Sequence, residues 1–454
     1  MKKAKSGEWR ERDRKVLWHP FTQHRTWATE EFPVIERGEG SYLVDVDGGR
    51  YLDGISSVWC NVHGHGKNAL DRALGAQLRK MSHATFLGLS HPPGIELAEK
   101  LVSIAPPGLS RVFYSDNGST AVEIALKMAY QYWHQTGHPQ KAKFVSLVEG
   151  YHGDTIGAMS VGGIEAFHGR FRPLLFQTIK APTPYAYRCP RKHGVEECGK
   201  HCLEEIEGIL RTHARQVAGV LVEPLVQGAG GMIVHPPGFL AALRKLCDQY
   251  QVLLIADEVM TGFGRTGRMF ACEHESVTPD LMAVSKGITG GYLPLAATLA
   301  TERIYEAFLG DRAERKYLAH GHTYTGNPLA CAAALASLKV FQREKLLEKL
   351  RRKVHFLGNA LQDFYEIPQA GDIRLCGFLA GIELVRDPAT REPYPYETAM
   401  GHRVALEARK RGAILRPLGD VVVLMPPLSI SMGDLKKLMS IALESIRAAV
   451  GETT

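Results

Sequence analysis

The 454-residue chain lacks the features that define several classes of protein. No apolar run reaches the ~20 residues that a membrane-spanning helix needs, and the charged N-terminus contains no apolar segment typical of a secretory signal. Eight cysteines are too few for a disulfide framework in a chain of this length, so we expect reduced thiols and a cytoplasmic protein with no membrane partner. Hydrophobic residues (45%) and charged residues (23%) are near the average for globular proteins, which excludes a mainly disordered or collagen-like chain.

The excess of positive charge is small. It amounts to +7, and much of it lies at the N-terminus, in Lys2, Lys3, Lys5, Arg10, Arg12, Arg14 and Lys15. Nucleic-acid binding requires basic residues that cluster over a domain together with stacking aromatic residues. We therefore expect no nucleic-acid partner, and we interpret the basic N-terminus as a frayed, solvated arm.

Apolar strands alternate with helices from about residue 68 to residue 330. Because the strands are almost continuously apolar, they indicate a mainly parallel sheet that is covered by helices on both faces. We predict an α/β fold with a large domain at residues 68–335. The two chain ends, residues 1–67 and 336–454, would form a smaller α+β domain. The predicted strands of the large domain are residues 111–114, 144–147, 219–223, 252–257 and 280–284.

One helix of the large domain has a clear start and end. Thr120 and Glu123 have the spacing of a capping box. Gly137 and Pro139 end the helical stretch that follows. Between these signals, apolar residues recur with helical periodicity, at Val122, Leu126, Ala129, Tyr130 and Trp133.

The stretch from Asp257 to Gly267 allows two interpretations. Gly262, Gly264 and Gly267 form the G-x-G-x-x-G pattern of dinucleotide-binding loops, which leaves a nicotinamide-dependent dehydrogenase as an alternative. Two carboxylates at the end of the strand and the absence of a following helix argue against bound phosphate. Asp257 and Glu258 point to opposite sides of the strand, so they do not form a hydrolytic pair.

A lysine 29 residues beyond Asp257 favours a different cofactor. Lys286 lies between an apolar strand and a glycine-rich turn, where a flat ligand can approach its amine. A lysine that bonds the cofactor, together with an aspartate facing a pyridinium nitrogen, is the pair that pyridoxal phosphate (PLP) chemistry requires. Upstream, the segment ending at Ser119 runs from a strand into the capped helix, so its backbone N–H groups can hold a phosphate. Tyr151 follows the next strand and is placed to cover the cofactor ring.

Several motifs in this order resemble those of the class III PLP-dependent aminotransferases, which have the type I fold. The resemblance spans residues 15–445 and rests on Asp116-Asn-Gly-Ser, Gly150-Tyr-His-Gly-Asp, Glu223-Pro-Leu-Val-Gln-Gly-Ala-Gly-Gly, Asp257-Glu with the following Thr-Gly-Phe-Gly-Arg-Thr-Gly, and Ser285-Lys-Gly.

The resemblance implies roles for individual residues. Lys286 would bond the cofactor and move a proton during catalysis, and Asp257 would keep the ring nitrogen protonated. Tyr151 would stack on the ring, while Gly118 and Ser119 would bind the phosphate. The cofactor site would be completed by His322 and Thr323, with Thr323 supplied by the neighbouring subunit. A site shared in this way implies a homodimer.

Narrower motifs resemble the branch of the family that serves biotin synthesis and aminates 8-amino-7-oxononanoate. They are Trp18-His-Pro-Phe-Thr, Ser56-Ser-Val-Trp, His320-Gly-His-Thr and Arg416-Pro-Leu-Gly. The substrate-contacting residues would be Phe21, Trp59, Tyr151, Lys286, Gly321 and Arg416. The arginine can grip a substrate carboxylate with two parallel hydrogen bonds.

The amino donor is open between two small molecules. Members of the branch that use S-adenosylmethionine usually carry Tyr where this chain has Phe21, and a Trp pair where it has Val58 and Trp59. The pattern is also compatible with the members that use L-lysine. Another ω-amino substrate of the family, such as ornithine or 4-aminobutyrate, is the alternative to the biotin branch.

A cysteine-rich segment is a weak metal candidate. Cys189, Cys198 and Cys202 lie near His193 and His201, but their spacing is not a regular zinc pattern. We therefore predict reduced thiols and no metal.

Overall fold

The computed structural model of the chain describes residues 5–451, which form a large central sheet, three smaller sheets and the helices that cover them. In chain order the strands are β1 (Ile35–Glu39), β2 (Tyr42–Asp45), β3 (Arg50–Asp53), β4 (Leu109–Ser115), β5 (Lys143–Leu147), β6 (Ile179–Ala181), β7 (Val217–Val222), β8 (Val226–Gln227), β9 (Ile233–Val234), β10 (Leu253–Asp257), β11 (Leu281–Val284), β12 (Ala296–Thr301), β13 (Ala370–Cys376), β14 (Leu379–Leu384), β15 (Ala413–Ile414) and β16 (Val421–Leu424).

The helices, in the same order, are α1 (Lys5–Val16), α2 (His24–Trp27), α3 (Ser56–Trp59), α4 (Asn68–Lys80), α5 (Pro92–Ile104), α6 (Gly118–Gln135), α7 (Ile156–Val161), α8 (Glu165–His168), α9 (Val195–His213), α10 (Phe239–Gln249), α11 (Glu302–Glu306), α12 (Pro328–Arg343), α13 (Leu346–Ala360), α14 (Met400–Lys410) and α15 (Met432–Gly451). Short 3₁₀ segments cover Gly169–Leu174, Ala186–Arg188, Ala271–Glu275, Lys286–Thr289, Leu361–Glu366 and Tyr396–Thr398. Within residues 5–451, no helix combines the length and the apolar character needed to cross a membrane.

The central sheet has seven strands in the order β4-β12-β11-β10-β7-β5-β6. The pairings among β11, β10, β7, β5 and β6 are parallel, and β12 is antiparallel to both of its neighbours. This mainly parallel sheet confirms the predicted α/β fold, and each of the five predicted strands is present. The sequence analysis missed β6 and β12.

Helices pack on both faces of this sheet, as the apolar strands indicate. Along β10, Leu254 and Ala256 belong to one hydrophobic core, whereas Leu253 and Ile255 belong to another. This alternation matches the two-residue repeat of a strand. On one face lies α6, whose Trp133 is buried, while α5, α9 and α10 cover strands of the same sheet elsewhere.

The start of α6 differs from its prediction by one turn. The helix begins at Gly118, and the capping side chain is Asn117, whose Oδ1 accepts a hydrogen bond from Thr120 N at 3.1 Å. Glu123 has another task, because its Oε1 accepts from Gly157 N at 2.7 Å near the start of α7. Tyr130 was expected on the apolar face but is 46% exposed.

The two chain ends meet in one of the smaller sheets. Strand β15, near the C-terminus, pairs in parallel with β3 in the sheet β1-β2-β3-β15, and β13, β14 and β16 form a second sheet. The predicted boundary at residue 335 falls inside α12, which continues to Arg343 and packs on α4 and α5.

The N-terminal arm is not frayed where the structure describes it. Residues from Lys5 form α1, and its arginines contact the chain's own backbone. Arg10 Nε donates to Phe32 O at 2.7 Å, and Arg14 Nη2 donates to Glu30 O at 2.8 Å. Lys2 and Lys3 lie outside the described residues. Part of the positive charge at this end is therefore fixed in intramolecular contacts.

Asp280 connects three elements of the large domain. It is 7% exposed, and its Oδ2 accepts hydrogen bonds from Leu254 N at 2.8 Å and from Arg244 Nη1 at 2.7 Å. Its Oδ1 accepts from Arg303 Nη2 at 2.5 Å. The carboxylate thus joins β10, α10 and α11 at the entrance to β11.

We predict that Asp280→Asn lowers the free energy of unfolding by about 3 kcal/mol, because it removes the carboxylate from a buried, hydrogen-bonded ion pair. Asp248→Asn is the matched control, since Asp248 pairs with the same Arg244 at 2.7 Å but its side chain is 66% exposed. We expect the control to cost less than about 1 kcal/mol. Equilibrium urea unfolding measures both, and equal losses would contradict this account of Asp280.

Candidate active site

A cavity of about 460 Å³ opens at the carboxyl ends of the central strands. Parallel strands end at one edge of a sheet, so residues that are distant in sequence converge there. This size is within the range of cofactor pockets. The cavity residues that follow or end these strands are Gly118 and Ser119 after β4, Tyr151 and His152 after β5, Glu223 after β7, Asp257 in β10, and Lys286 after β11.

Lys286 lies at the base of the cavity, two residues beyond the end of β11. Its backbone has φ +46°, a left-handed value that is rare for a residue with a side chain. The preceding Ser285 anchors this conformation, because its Oγ donates to Leu295 O at 2.9 Å. Burial lowers the pKa of the Lys286 amine, and the charges of Asp257 and Glu223 oppose this change. A larger neutral fraction makes the amine a better nucleophile.

Asp257 is 4% exposed, and its carboxylate is held from two sides. His152 Nδ1 lies 2.8 Å from Asp257 Oδ2, and Val259 N donates to Oδ1 at 3.0 Å. The sequence analysis gave His152 no role, although it follows Tyr151 in one of the quoted motifs. The histidine orients the carboxylate toward the cavity.

The neighbouring Glu258 faces away from the cavity. Its Oε1 accepts from Cys272 N at 2.8 Å and its Oε2 accepts from Thr261 Oγ1 at 2.5 Å. Burial raises the pKa of this carboxyl group. The two adjacent acids therefore have separate environments, and Glu258 anchors the loop between β10 and β11.

Glu223 is a cavity residue to which the sequence analysis gave no role. It is 5% exposed, and burial raises its pKa to about 7. Its Oε1 accepts from Tyr151 N at 3.0 Å, and its Oε2 accepts from Gly228 N at 2.8 Å. One carboxyl group thus holds two loops that border the cavity. Its signal in the sequence is an acid directly after an apolar strand.

Tyr151 stands on one side of the cavity. Its hydroxyl donates to Asp154 Oδ2 at 2.8 Å, and burial raises the pKa of the phenol. Its ring is nearly parallel to that of His168, with 6.0 Å between the ring centroids. These contacts fix the plane of the tyrosine ring, as required for a side chain that covers a flat ligand.

The N-terminus of α6 forms a cradle for an anion. The first N–H groups of a helix have no acceptor within the helix and carry partial positive charge. Gly118 is needed here, because a Cβ on it would lie 2.6 Å from Val259 Cγ1. Gly153 has φ +123°, and a Cβ on it would lie 2.0 Å from Ser119 Oγ. Both glycines therefore let the backbone come close to the cradle.

Trp59 borders the cavity above the lysine, with its ring centroid 5.5 Å from Lys286 Nζ. It ends α3, which is a left-handed turn: φ is +51° at Ser56, +48° at Ser57, +63° at Val58 and +70° at Trp59. Each left-handed residue with a side chain costs about 1–2 kcal/mol relative to the right-handed form. Packing of the indole beside Met260 and Leu379 fixes its position.

Three predicted substrate residues, Phe21, Gly321 and Arg416, lie outside the cavity lining. Phe21 is 59% exposed, and its ring centroid is 5.3 Å from that of Phe167, which lies 6.1 Å from the Tyr151 ring. Arg416 is exposed, and no ion pair or hydrogen bond joins its side chain to another residue in the range 5–451. It follows β15, in which Ile414 pairs with Asp53 at the end of β3.

The predicted residues Gly321, His322 and Thr323 lie in a largely exposed loop. Only one of them reaches a cavity residue of the same chain. His322 Nδ1 is 2.6 Å from Asp116 Oδ2, next to the cradle at α6. Thr323 does not line the cavity that the described residues of its own chain form.

The two weaker sequence signals are the glycine-rich loop and the cysteine-rich segment. The loop Gly262–Gly267 leads into a 3₁₀ segment, Ala271–Glu275, and not into a helix that would receive a dinucleotide phosphate. All eight cysteines are free, and Cys189, Cys198 and Cys202 are buried. Across the described part of the chain, no group of three or more His, Cys, Asp and Glu residues is arranged to hold a metal.

The cavity residues fit PLP. Three groups open into one cavity: an amine of lowered pKa, an oriented carboxylate and an anion cradle. They match the carbonyl, the ring nitrogen and the phosphate of this cofactor, in that order.

Comparisons with known proteins agree with this geometry. The profile of the family described as aminotransferase class-III matches residues 25–446. The chain is 54% identical over 443 residues to the adenosylmethionine-8-amino-7-oxononanoate aminotransferase of Geobacter sulfurreducens, covering 97% of this chain and 98% of that protein.

Solved structures give the same result. The crystal structure of the enzyme of that name from Methanocaldococcus jannaschii superposes with a TM-score of 0.92 at 45% identity, covering 97% of this chain and 99% of that one. An omega transaminase from Pseudomonas jessenii, in complex with PMP, has a TM-score of 0.92 at 33% identity and 97% and 98% coverage. The chain therefore belongs to the class III aminotransferases, which are PLP-dependent enzymes.

Proposed function

We propose that this aminotransferase converts 8-amino-7-oxononanoate to 7,8-diaminononanoate in biotin synthesis, with S-adenosylmethionine as the amino donor. The observation that carries the reaction type is the placement of Lys286 and Asp257 at the ends of adjacent strands around one cavity. The choice of substrates is supported by relatives from five organisms, 46–54% identical, that are named for this reaction.

The cavity residues have distinct tasks in this proposal. When bound, PLP withdraws electrons from the substrate carbon that carries nitrogen and so weakens its C–H bond. Lys286 Nζ holds the cofactor in the resting enzyme and moves the proton to and from that carbon. Asp257 keeps a proton on the ring nitrogen, and His152 holds Asp257 in place from 2.8 Å. Tyr151 covers the ring.

The α6 cradle binds the phosphate through Gly118 and Ser119. The Ser119 hydroxyl is oriented by Asp154 N, which donates to it at 3.3 Å. A fixed phosphate sets the position of the ring relative to Lys286, and this preorganisation lowers the entropic cost of the reaction.

The substrate side of the cavity suits a long apolar acid. Trp59 offers an apolar wall beside Lys286, and Phe21 continues the aromatic surface at the rim through Phe167. Arg416 follows β15, which pairs with β3, and its guanidinium is unpaired among the described residues. A guanidinium binds a carboxylate with two parallel hydrogen bonds, so we assign the substrate carboxylate to Arg416.

The first test supplies the purified holoenzyme with 8-amino-7-oxononanoate and either S-adenosylmethionine or L-lysine. We expect 7,8-diaminononanoate, measured by mass spectrometry, with S-adenosylmethionine. Product with lysine alone would replace the proposed donor. Activity only with ornithine or 4-aminobutyrate would assign the chain to another branch of the family. As a control, Lys286→Ala should lower turnover by about 10²–10⁴-fold or more.

The adjacent carboxylates offer a matched pair of substitutions. Asp257→Asn should lower kcat by about 10²-fold, because a neutral amide cannot stabilise a protonated ring nitrogen. Glu258→Gln should leave kcat/KM at the wild-type level and cost about 1–3 kcal/mol of stability, since Glu258 only anchors backbone and hydroxyl groups. Steady-state kinetics and thermal unfolding of both variants measure these effects. Equal kinetic losses would contradict the division of roles.

We further propose a homodimer in which Thr323 completes the partner's phosphate site. The loop at residues 320–324 is largely exposed and lies against a second exposed segment, with 4.8 Å between the ring centroids of His83 and Tyr324. Leu87, Leu89, Tyr317 and Tyr324 are each more than 60% exposed. An apolar surface of this kind, next to a loop that carries the expected phosphate ligand, supports a subunit interface.

Hybrid dimers test this arrangement. Lys286→Ala and Thr323→Ala protomers are each impaired alone. If Thr323 serves the partner's cavity, one cavity of each hybrid has both residues intact. An equal mixture should then recover about a quarter of wild-type activity, because half of the dimers are hybrids with one complete site. If Thr323 served its own chain, no hybrid would contain a complete site and activity would not recover.

The reaction belongs to small-molecule biosynthesis, and we propose a cytoplasmic location. The eight free cysteines, most of them buried, are in keeping with a reducing compartment.

A further inference from the structure

The left-handed turn α3 holds Trp59 above Lys286, yet left-handed geometry is unfavourable at each of its four residues. We propose that Asp53 and Arg265, neither of which lines the cavity, are positioning residues that hold this turn and thereby set the substrate-side wall. The inference rests on the proposed function only in assigning Trp59 to the substrate.

Asp53 holds the turn from the end of β3. It is 1% exposed. Its Oδ1 accepts a hydrogen bond from Ser57 N, and its Oδ2 accepts one from Ser57 Oγ, each at 2.8 Å. His65 Nε2 lies 3.1 Å from the same Oδ2. Because β3 pairs with β2 on one side and with β15 on the other, the carboxylate is attached to a rigid support.

Arg265 holds the turn from the opposite side. It is 3% exposed, and its Nη2 donates to Ser56 Oγ at 3.1 Å. Its Nη1 donates to Phe378 O at 3.1 Å and to Pro426 O at 2.8 Å, next to β14 and β16. Ser56 Oγ in turn donates to Met425 O. The guanidinium therefore joins the large-domain loop, the turn and the three-stranded sheet.

This contact gives the Gly262–Gly267 motif a role without a dinucleotide. Gly264 has φ +90°, and a Cβ on it would lie 2.9 Å from Leu428 Cδ1. The loop thus needs glycine beside Arg265 to bring the guanidinium into the space between the domains. Asp53 and Arg265 bind consecutive residues of the turn, Ser57 and Ser56, and Trp59 N closes it by donating to Ile55 O at 2.8 Å.

The first readout needs no substrate. Cys60 follows Trp59 directly, and its thiol donates to Ser57 O at 3.2 Å. In the holoenzyme, Asp53→Asn should raise the rate of Cys60 alkylation by iodoacetamide about tenfold, because the turn opens more often. Peptide mass spectrometry follows each cysteine separately. Cys247, a fully buried residue of α10, reports global unfolding and should keep its wild-type rate of alkylation.

Asp45→Asn is the matched control. Asp45 is 7% exposed and also binds a turn of the same sheet, accepting from Asp47 N at 3.0 Å and Gly49 N at 2.7 Å. That turn does not border the cavity. The control should lower the thermal stability. It should change neither the rate of Cys60 alkylation nor kcat/KM. Ser57→Ala removes a single hydrogen bond and serves as a milder variant if Asp53→Asn does not fold.

The second readout is a double-mutant cycle with Trp59→Ala. In the wild-type background, Asp53→Asn should lower kcat/KM for 8-amino-7-oxononanoate about tenfold, mainly by raising KM. In the Trp59→Ala background the same substitution should lower kcat/KM about twofold or less. Arg265→Lys should follow the same pattern. A positioning role requires this non-additivity, whereas a general loss of stability would lower kcat/KM equally in both backgrounds.

The inference would be overturned if Asp53→Asn lowered kcat/KM equally in both backgrounds. It would also be overturned if the rate of Cys60 alkylation were unchanged in Asp53→Asn and Ser57→Ala. If the wild-type enzyme does not use this substrate, the proposed function fails, but the Cys60 rates still test the positioning role. The two proposals therefore fail separately.

Discussion

A buried carboxylate is unfavourable unless hydrogen bonds replace its lost water, and the site depends on meeting this condition at Asp257. The strand β10 places the residue at the floor of the cavity. His152 and the backbone of Val259 satisfy its oxygens from two sides. The same parallel arrangement puts Lys286 at the end of the next strand, where a buried amine gains from nearby negative charge. The order of the strands thus brings acid and amine together before any ligand binds.

The remaining walls of the cavity come from loops, and each loop is held by a buried polar group. Glu223 binds the backbone at Tyr151 and Gly228, and Arg265 binds Ser56. Such groups are stabilising only when most of their polar atoms are paired, which limits how the loops can move. The left-handed conformation at Trp59 fits this pattern, because unfavourable backbone geometry persists only where surrounding contacts enforce it.

The sequence allowed the large sheet to be predicted because β5, β7, β10 and β11 are continuous apolar runs. Strand β12 escaped detection because three of its six residues are alanine, which is depleted in strands and gives a weak β signal. The candidate cofactor residues could be named because they follow predicted strands or match family motifs. The partners His152 and Glu223 could be quoted in motifs, but their roles depend on distances between separate strands, which one sequence does not provide.

Catalysis and selectivity have different structural bases in this chain. Lys286, Asp257 and the α6 cradle are attached to the central sheet, whose strands are buried on both faces and therefore tolerate little displacement. Trp59, Phe21 and Arg416 belong to turns and segments from the chain ends, outside that sheet. A change of substrate can arise in these segments without altering the sheet that carries the chemistry. If Trp59 contacts the substrate as proposed, the contacts that hold its turn affect which substrate reaches the amine, while the strand order fixes the amine beside Asp257.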